Sequence, residues 1–357
     1  MRKGIFVSAA IVIVLMASAI IGGVSPFTAN ANLRHYRELL IFDFAASEKF
    51  VSFPVVLAAD TAGLIVLDRK TRERKIIYDD GVILHSPNFS KDGKRLLYVK
   101  RKPPENEQQL TSCTTVDWRC RTILKAKATI FSPVELEPGS ILYASSPFRT
   151  VDGRNRADRY DLYLLKEGAS PVRLTEFGAY QLSPISVGGH RVLMTAVHGK
   201  GLSGYGGRDE APVSKETNPS VSHIFSLDLA GSGDDIVAPE RPLTPHFLIP
   251  GYSTHAGIAP NGQYVAFLNR RNSPGRVHFN LAVADSSEKV IRYIGAKGYG
   301  FSMPVFVGQS IVANELLADG YEVKEFRLDA EQSKTVFQLD FSVETLMRVP
   351  RISISLN

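Results

Sequence analysis

Histidine is the residue type in this sequence best suited to acid–base or metal chemistry, since imidazole titrates near neutral pH and binds divalent cations. The eight histidines are His35, His85, His190, His198, His223, His246, His255 and His278. A serine hydrolase would need a Gly-x-Ser-x-Gly turn, and the nearest match, Gly201-Leu-Ser-Gly-Tyr, lacks the last glycine. The sequence also contains no phosphate-binding P-loop motif. We therefore expect neither a serine hydrolase nor a nucleotide-binding protein.

The composition bounds the class of protein. The chain has 357 residues, of which 44% are hydrophobic and 22% charged, values typical of globular proteins and incompatible with disorder, collagen or a polytopic membrane protein. The formal net charge is +6, a mild excess for this length. We therefore expect no nucleic-acid partner.

The N-terminus has the pattern of an export signal. Arg2 and Lys3 precede an uncharged apolar run from Ile5 to Val24, and a helix of about 20 residues spans a bilayer core. Ala29-Asn30-Ala31 has the small-x-small form of a cleavage site. The sequence favours a cleaved signal peptide over residues 1–31, with an uncleaved membrane anchor as the alternative. Both alternatives predict an extracytoplasmic protein, either periplasmic or secreted. An uncleaved anchor would also tether the protein to the membrane.

Export determines how the two cysteines are interpreted. Cys113 and Cys120 flank a short segment, and two cysteines in an oxidising compartment usually pair. A metal site is disfavoured, because no histidine lies close in sequence to complete a tetrahedral set. We predict a structural disulfide that fixes a hairpin tip.

A repeat of about fifty residues organises the rest of the chain. Each repeat contains a turn glycine between two short apolar strands, as in Asp92-Gly93. Glycine is favoured at this position because it adopts the left-handed backbone angles of a tight turn at little cost. The equivalent glycines are Gly93, Gly139, Gly189, Gly262 and Gly308. The longest interval holds an aperiodic insertion over residues 198–222. Each unit contains four short strands.

Four-stranded units of this length stack radially as propeller blades. We predict an all-β, six-bladed β-propeller over residues 51–357, with seven blades as the alternative and residues 32–50 as a linker. The strands over residues 54–78 lack an innermost partner, and a further strand over residues 346–355 ends the chain. We expect this C-terminal strand to pair with the N-terminal blade, complete it and close the ring.

Two segments carry a resemblance to a known family. Ser86-Pro-Asn-Phe-Ser-Lys-Asp-Gly-Lys-Arg-Leu-Leu-Tyr98, and Asp161-Leu-Tyr-Leu-Leu followed by Val172-Arg-Leu-Thr175, resemble the repeat of TolB-type β-propellers. The resemblance implies the propeller fold and frequent export to the periplasm. It implies little about chemistry, because the family includes scaffold proteins, peptidase propeller domains and polysaccharide lyases.

His85 and His255 are the candidate site residues, at the rim of the central channel. Alignment on the turn glycines places them at adjacent positions of inner strands in opposite blades, so one should face the axis and the other a blade interface. The positions equivalent to His85 elsewhere include Phe131, Leu182, Ser302 and Arg348. Arg348 joins the two histidines as a predicted binding residue. We expect no metal and no cofactor, although propeller-type oligogalacturonate lyases, which resemble this repeat, hold a divalent metal such as Mn or Ca with channel histidines.

Two basic stretches could attract an anionic polymer or an acidic partner, or could simply be solvated hairpin tips. They comprise Lys94, Arg95, Lys100, Arg101 and Lys102, and Arg69, Lys70, Arg72, Arg74 and Lys75. Our leading hypothesis is a non-catalytic exported scaffold that binds a protein or polymer, chiefly through loops 103–120 and 198–222. The alternative is a metal-assisted polysaccharide lyase or hydrolase that uses the channel histidines. The sequence leaves the oligomeric state open.

Overall fold

A computed structural model describes most of the chain. The described residues are 43–57, 61–103, 105–151, 154–197, 202, 223–231, 236–238, 245–246, 252–273, 276–298, 300–317, 320–329, 333–340 and 351–353. They form strands, turns and bends, and they contain no helix that is long and apolar enough to cross a membrane. The predicted signal or anchor over residues 1–31 and the predicted binding residue Arg348 lie outside these ranges.

The described strands form antiparallel units that follow one another along the chain. Blade 1 contains β1 (Ala45–Ala46), β2 (Phe50–Val56), β3 (Ala62–Asp68) and β4 (Arg74–Tyr78). Blade 2 contains β5 (Ile83–Phe89), β6 (Arg95–Arg101), β7 (Gln108–Thr114) and β8 (Cys120–Ala126). Blade 3 contains β9 (Ala128–Glu137), β10 (Ser140–Pro147), the hairpin β11 (Arg149–Val151) and β12 (Arg154–Arg156), β13 (Asp161–Lys166) and β14 (Val172–Arg173).

The second half of the chain repeats this arrangement. Blade 4 contains β15 (Gln181–Gly188), β16 (Arg191–Val197), β17 (His223–Asp228) and β18 (Pro245–His246). Blade 5 contains β19 (Tyr252–Ile258), β20 (Tyr264–Ser273), β21 (Arg276–Asp285) and β22 (Val290–Ile294). Blade 6 contains β23 (Gly300–Phe301), β24 (Val305–Val307), β25 (Ser310–Leu316), β26 (Gly320–Arg327) and β27 (Ser333–Asp340), and the last described strand is β28 (Arg351–Ser353).

The predicted turn glycines all adopt left-handed backbone angles. Each connects the inner strand of a blade to the second strand, and the φ values are 68° at Gly93, 81° at Gly139, 63° at Gly189, 71° at Gly262 and 59° at Gly308. An L-residue would be strained at these angles, which is why glycine recurs there. The repeat read from the sequence is therefore a repeat of hairpins.

Inner strands contact one another in chain order. β1 contacts β5, β5 contacts β9, β9 contacts β15, β15 contacts β19, and β24 contacts both β19 and β1. This order describes a ring around a central axis, as the predicted propeller requires. The described strands make six units, and the total number of blades stays a prediction because residues 1–42 and 341–350 lie outside the description.

The C-terminal strand joins the first blade, as predicted. β28 pairs with β4 in parallel, with Ile352 opposite Ile77. Its expected position as the innermost strand was wrong. β1 already lies inside β2, and β28 adds to the outer edge of the blade beyond β4. β1 also lies within residues 32–50, so the sheet begins inside the segment predicted to be a linker.

Apolar clusters between neighbouring blades hold the ring together. Between blades 6 and 1, Val312, Val323 and Phe337 pack with Phe53 and Ile65. Between blades 1 and 2, the buried side chains include Leu64, Ile77, Leu96 and Tyr98. A twisted four-stranded sheet has two apolar faces, and radial stacking buries both.

Candidate functional site

The inner strands of blades 2 to 5 share an irregularity near their middle. In blade 2, His85 pairs with Val99 and the next paired residue is Asn88, so two residues leave the ladder. Equivalent register shifts occur in β9, β15 and β19. Ser86, Ser132 and His255, the first displaced residues in three of these strands, have φ values of 51°, 47° and 51°. Non-glycine residues rarely adopt such angles, and strain of this kind re-aims side chains at functional sites.

Asp43 is tied to this irregular region. The backbone N–H of Ser86 donates a hydrogen bond to Asp43 Oδ2 over 2.7 Å, which connects the start of blade 1 to the inner strand of blade 2. Burial raises the pKa of Asp43 to about 6, although the hydrogen bond from Ser86 acts in the opposite direction. Asp43 was not predicted as a site residue, because it lies in the segment that was assigned to a linker.

His85 lies at the interface between blades 2 and 3. Its ring centroid is 5.5 Å from that of Phe131 on β9, its Nδ1 is 3.1 Å from Ser86 Oγ, and only 1% of its surface is exposed. Burial, and secondarily the charge of Arg101, lowers the pKa of His85 to about 3. The imidazole is therefore neutral at physiological pH.

His255 occupies the displaced position of blade 5. Its backbone N–H donates to Thr195 Oγ1 over 2.9 Å, and its Nδ1 is 2.8 Å from Thr254 Oγ1. The residue is only partly buried, unlike His85. Burial lowers the pKa of His255 to about 4, so this imidazole is also neutral near pH 7.

The structure places the two candidate histidines in different blades and different surroundings. Both lie on inner strands, but His85 packs against Phe131 between blades, whereas His255 contacts Thr195 and Thr254. No group of three His, Cys, Asp or Glu side chains within the described residues is arranged to hold a metal ion. A binding role for His85, His255 and Arg348 stays a prediction.

Comparison with known proteins adds information on the fold. No family model matches the sequence. No curated protein matches it either. The structure is similar to TolB from Acinetobacter baumannii, with a TM-score of 0.55 and 13% identity over 84% of this chain and 68% of that chain. It is also similar to the β-propeller domain of the Trilobed protease from Pyrococcus furiosus, with a TM-score of 0.50 and 12% identity over 83% of this chain and 96% of that domain.

The fold is a TolB-like β-propeller. At these identities the likeness concerns architecture alone, and one of the two similar structures is part of a protease, so the fold leaves catalytic activity open. The Pyrococcus domain has an open velcro topology, whereas in this propeller β28 pairs with the first blade.

The disulfide of the propeller is formed as predicted. Cys113 and Cys120 are directly opposite each other on β7 and β8 and are bonded. The bond closes a hairpin tip on which Trp118 packs edge-on against Phe50 of blade 1, with ring centroids 5.4 Å apart. Disulfides persist in oxidising compartments, which agrees with export.

The two predicted basic stretches do not form one surface of the propeller. Lys94 and Arg95 lie at one end of β6, and Lys100 and Arg101 lie at the other. Several of the cations form intramolecular ion pairs, namely Arg69 with Glu325 at 3.0 Å, Lys100 with Asp79 at 3.0 Å, and Arg95 with Glu135. Arg101 is buried.

The predicted loop 103–120 is also divided. Residues 108–114 form β7, and Cys120 begins β8. The turn before β7 and the turn after it lie at opposite ends of the blade, so they belong to different faces of the propeller. The other predicted loop, 198–222, connects β16 to β17 and, apart from Leu202, lies outside the described residues.

Proposed function

We propose that this chain is a non-catalytic, extracytoplasmic β-propeller that serves as a scaffold for a protein partner. The observation that carries the proposal is the common position of the strand ends that are joined by the connections between the second and third strands of blades 2, 3 and 4. These connections span residues 102–107, 148–160 and 198–222. Because the blades share one strand order, the second strand of each of these blades ends, and the third begins, at the end of the ring where the inner strands begin. We call this end the loop-rich face.

The electrostatics favour a protein over an anionic polymer at the predicted basic stretches. Lys100 and Arg95 already have carboxylate partners within the chain, and binding a polymer there would require those pairs to break. Intramolecular pairs at these strand ends stabilise the ring. An anionic polymer remains the alternative ligand.

The environment of the histidines supports a scaffold. His85 is packed between blades as a neutral side chain, which is the usual arrangement of a structural histidine. His255 uses its backbone N–H and its ring for contacts to Thr195 and Thr254. Both sets of contacts position strands.

The test is capture of a partner by the purified, exported chain. The wild-type protein and a variant lacking residues 199–221 are immobilised and exposed to an extract of the cell envelope, and retained proteins are quantified by mass spectrometry. We expect one protein to be retained by the wild type, to bind it again as a purified pair, and to bind the deletion variant at least about tenfold more weakly. Equal binding to both variants would exclude the 198–222 connection, and no reproducible pair would exclude the scaffold.

Metal analysis and polysaccharide turnover test the enzymatic alternative. The wild type and the variants His85→Ala and His255→Ala are assayed for bound Mn and Ca and for cleavage of acidic polysaccharides. Stoichiometric metal that both substitutions remove, together with turnover, would replace the scaffold proposal by the lyase or hydrolase.

A further inference from the structure

Four turns of blades 1 and 2 meet at the end of the propeller opposite the loop-rich face. In each of these blades, one turn connects the inner strand to the second strand, and another connects the third strand to the fourth. We call these turns and the residues beside them the tip surface. It comprises residues 47–49, 69–75, 91–94 and 115–119, all of which the structure describes.

Hydrogen bonds join the two turns within each blade. In blade 1, the backbone N–H of Arg69 donates to the carbonyl oxygen of Lys49 over 2.8 Å. In blade 2, the backbone N–H of Thr115 donates to the carbonyl oxygen of Lys94 over 2.8 Å. Because these backbone groups pair with each other, the turns present mainly their side chains to a ligand.

Packing joins the two blades at the same place. Trp118 of blade 2 packs edge-on against Phe50 of blade 1, and the Nζ of Lys75 lies 5.7 Å from the centroid of the Trp118 ring. A side chain at Gly93 would begin 3.5 Å from Ser47 Cβ, so the two inner turns are also adjacent. The four turns therefore form a single surface.

Positive charge is concentrated on the tip surface. It contains nine Lys and Arg residues against four Asp and Glu residues, whereas the whole chain has 42 against 36. Lys49, Lys70 and Arg72 are exposed, and none of the three forms an ion pair with a described residue. Lys94 and Arg119 are exposed too, and each pairs with an aspartate of its own turn. Exposed pairs of this kind are weak, so these cations also remain available to an anionic ligand.

An apolar side chain projects from the same surface. Val116 is 87% exposed, the highest value among the large hydrophobic residues that the structure describes. It lies in the turn between β7 and β8, which the disulfide closes. Trp118, in the same turn, is partly exposed. The tip surface therefore combines cations on long side chains with an apolar side chain that a cross-linked turn holds in water.

We infer that the tip surface binds an anionic phospholipid membrane. The cations would contact the headgroups, and Val116 would enter the apolar region below them, which is the combination that favours binding at a lipid surface. An acidic peptide or polysaccharide would be bound by the cations and would gain little from Val116. The inference goes beyond the proposed function and does not depend on it, because the loop-rich face lies at the other end of the blades.

The experiment measures binding of the full chain to phospholipid vesicles by fluorescence. Trp118 is the only tryptophan in the sequence, so its emission reports contact at the tip surface. The vesicles contain equal parts of phosphatidylglycerol and phosphatidylcholine, and part of the phosphatidylcholine carries bromine on its acyl chains, which quenches nearby tryptophan. We expect quenching that weakens with added salt and is absent with vesicles of phosphatidylcholine alone.

Three variants separate the contributions to binding, and all are checked for unchanged thermal unfolding. Lys70→Gln/Arg72→Gln should bind about 20-fold more weakly, because each basic residue near an anionic surface contributes a factor of about five. Val116→Asn should bind about fivefold more weakly, because an apolar contact is lost. Lys125→Gln/Lys127→Gln is the matched control, since it removes the same charge from exposed positions near the loop-rich face and should stay within about twofold of wild type. All four proteins share one N-terminal segment, so binding through that segment does not distinguish them.

Several outcomes would overturn the inference. Equal weakening in Lys70→Gln/Arg72→Gln and in the control would assign the binding to overall charge. Vesicle-bound protein with unquenched Trp118 would place the contact elsewhere. Tighter binding of polygalacturonate or of an oligoglutamate peptide than of vesicles, with no effect of Val116→Asn, would replace the lipid by an anionic polymer. Capture of a partner is a separate readout, since a chain that binds vesicles but captures no protein keeps this inference and loses the scaffold.

Discussion

The carboxylate of Asp43 accepts a hydrogen bond from the backbone N–H of Ser86, and this contact links blade 1 to the inner strand of blade 2. Ser86 has a left-handed backbone, so the contact joins a partly buried acid to a strained turn. Burial raises the pKa of Asp43. The stability of the protein should therefore depend on pH in a way that single substitutions can separate.

Replacing the acid should stabilise the protein at high pH. The folded-state pKa of Asp43, about 6, is higher than its ordinary value of 3.8, so its favourable contribution is complete below 3.8 and is lost as the pH rises through 6. Asp43→Asn keeps an oxygen acceptor for Ser86 and removes the charge. We expect a gain of up to about 3 kcal/mol in the free energy of unfolding at pH 8 and little change at pH 4, measured by urea denaturation.

Asp285 provides a control of opposite sign. Hydrogen bonds from Ser287, followed by those from the backbone of Lys289, lower the pKa of this exposed carboxyl. Asp285→Asn should therefore destabilise the protein at pH 8 relative to pH 3. An unchanged pH dependence in Asp43→Asn would show that Asp43 is not enclosed.

His85 should make the protein sensitive to acid. The folded-state pKa of His85, about 3, is below its ordinary value of 6.5. The contribution of neutral His85 to stability is therefore complete above pH 6.5 and is lost as the pH falls from 6.5 to 3. In this range, one such group lowers the free energy of unfolding by about 1.4 kcal/mol for each pH unit by which the pH falls. We expect His85→Gln to flatten the slope between pH 6 and 4, whereas the exposed His190→Gln should leave it as in wild type. A slope that His85→Gln does not change would place the acid sensitivity elsewhere, with His255 as the next group to test.

The disulfide should contribute modest stability through the hairpin tip. Its two cysteines are seven residues apart, and a loop of this size contributes about 2 kcal/mol. We expect Cys113→Ala/Cys120→Ala to lose about that amount of unfolding free energy and to become insensitive to reductant, while wild type loses a similar amount on reduction. Reductant that destabilises both proteins equally would contradict the prediction.

Removal of the last strand should open the ring. β28 pairs with the outer edge of β4, so a chain that ends at residue 350 leaves that edge unpaired. We expect a fall in Tm of several degrees and increased self-association in sedimentation experiments, because an exposed strand edge can pair with another chain. A chain that ends at residue 353 keeps β28 and is the matched control. Identical behaviour of the two truncated proteins would mean that β28 does not close the ring.

Much of the fold could be predicted because its signals are local. The turn glycines and the apolar pairs of strands lie within a few residues of one another, and the cysteines are neighbours across a single hairpin. The position of β28 could not be predicted, because β1 is only two residues long and its strand pattern was too weak to recognise. The left-handed backbone angles at Ser86, Ser132 and His255 could not be predicted from the residue types. Ser86 and Ser132 are serines in an ordinary turn motif.

The sequence by itself determined a chain of repeated four-stranded units with a disulfide-bonded hairpin, because glycine backbone angles and strand alternation act over short distances. Only the tertiary structure decided which charges remain available to a partner. It paired Lys100 with Asp79 and Arg95 with Glu135, and it left Arg156 and Arg159 exposed between β10 and β13 of blade 3. Residues far apart in the chain meet only when the blades pack into a ring, and a salt bridge depends on that meeting.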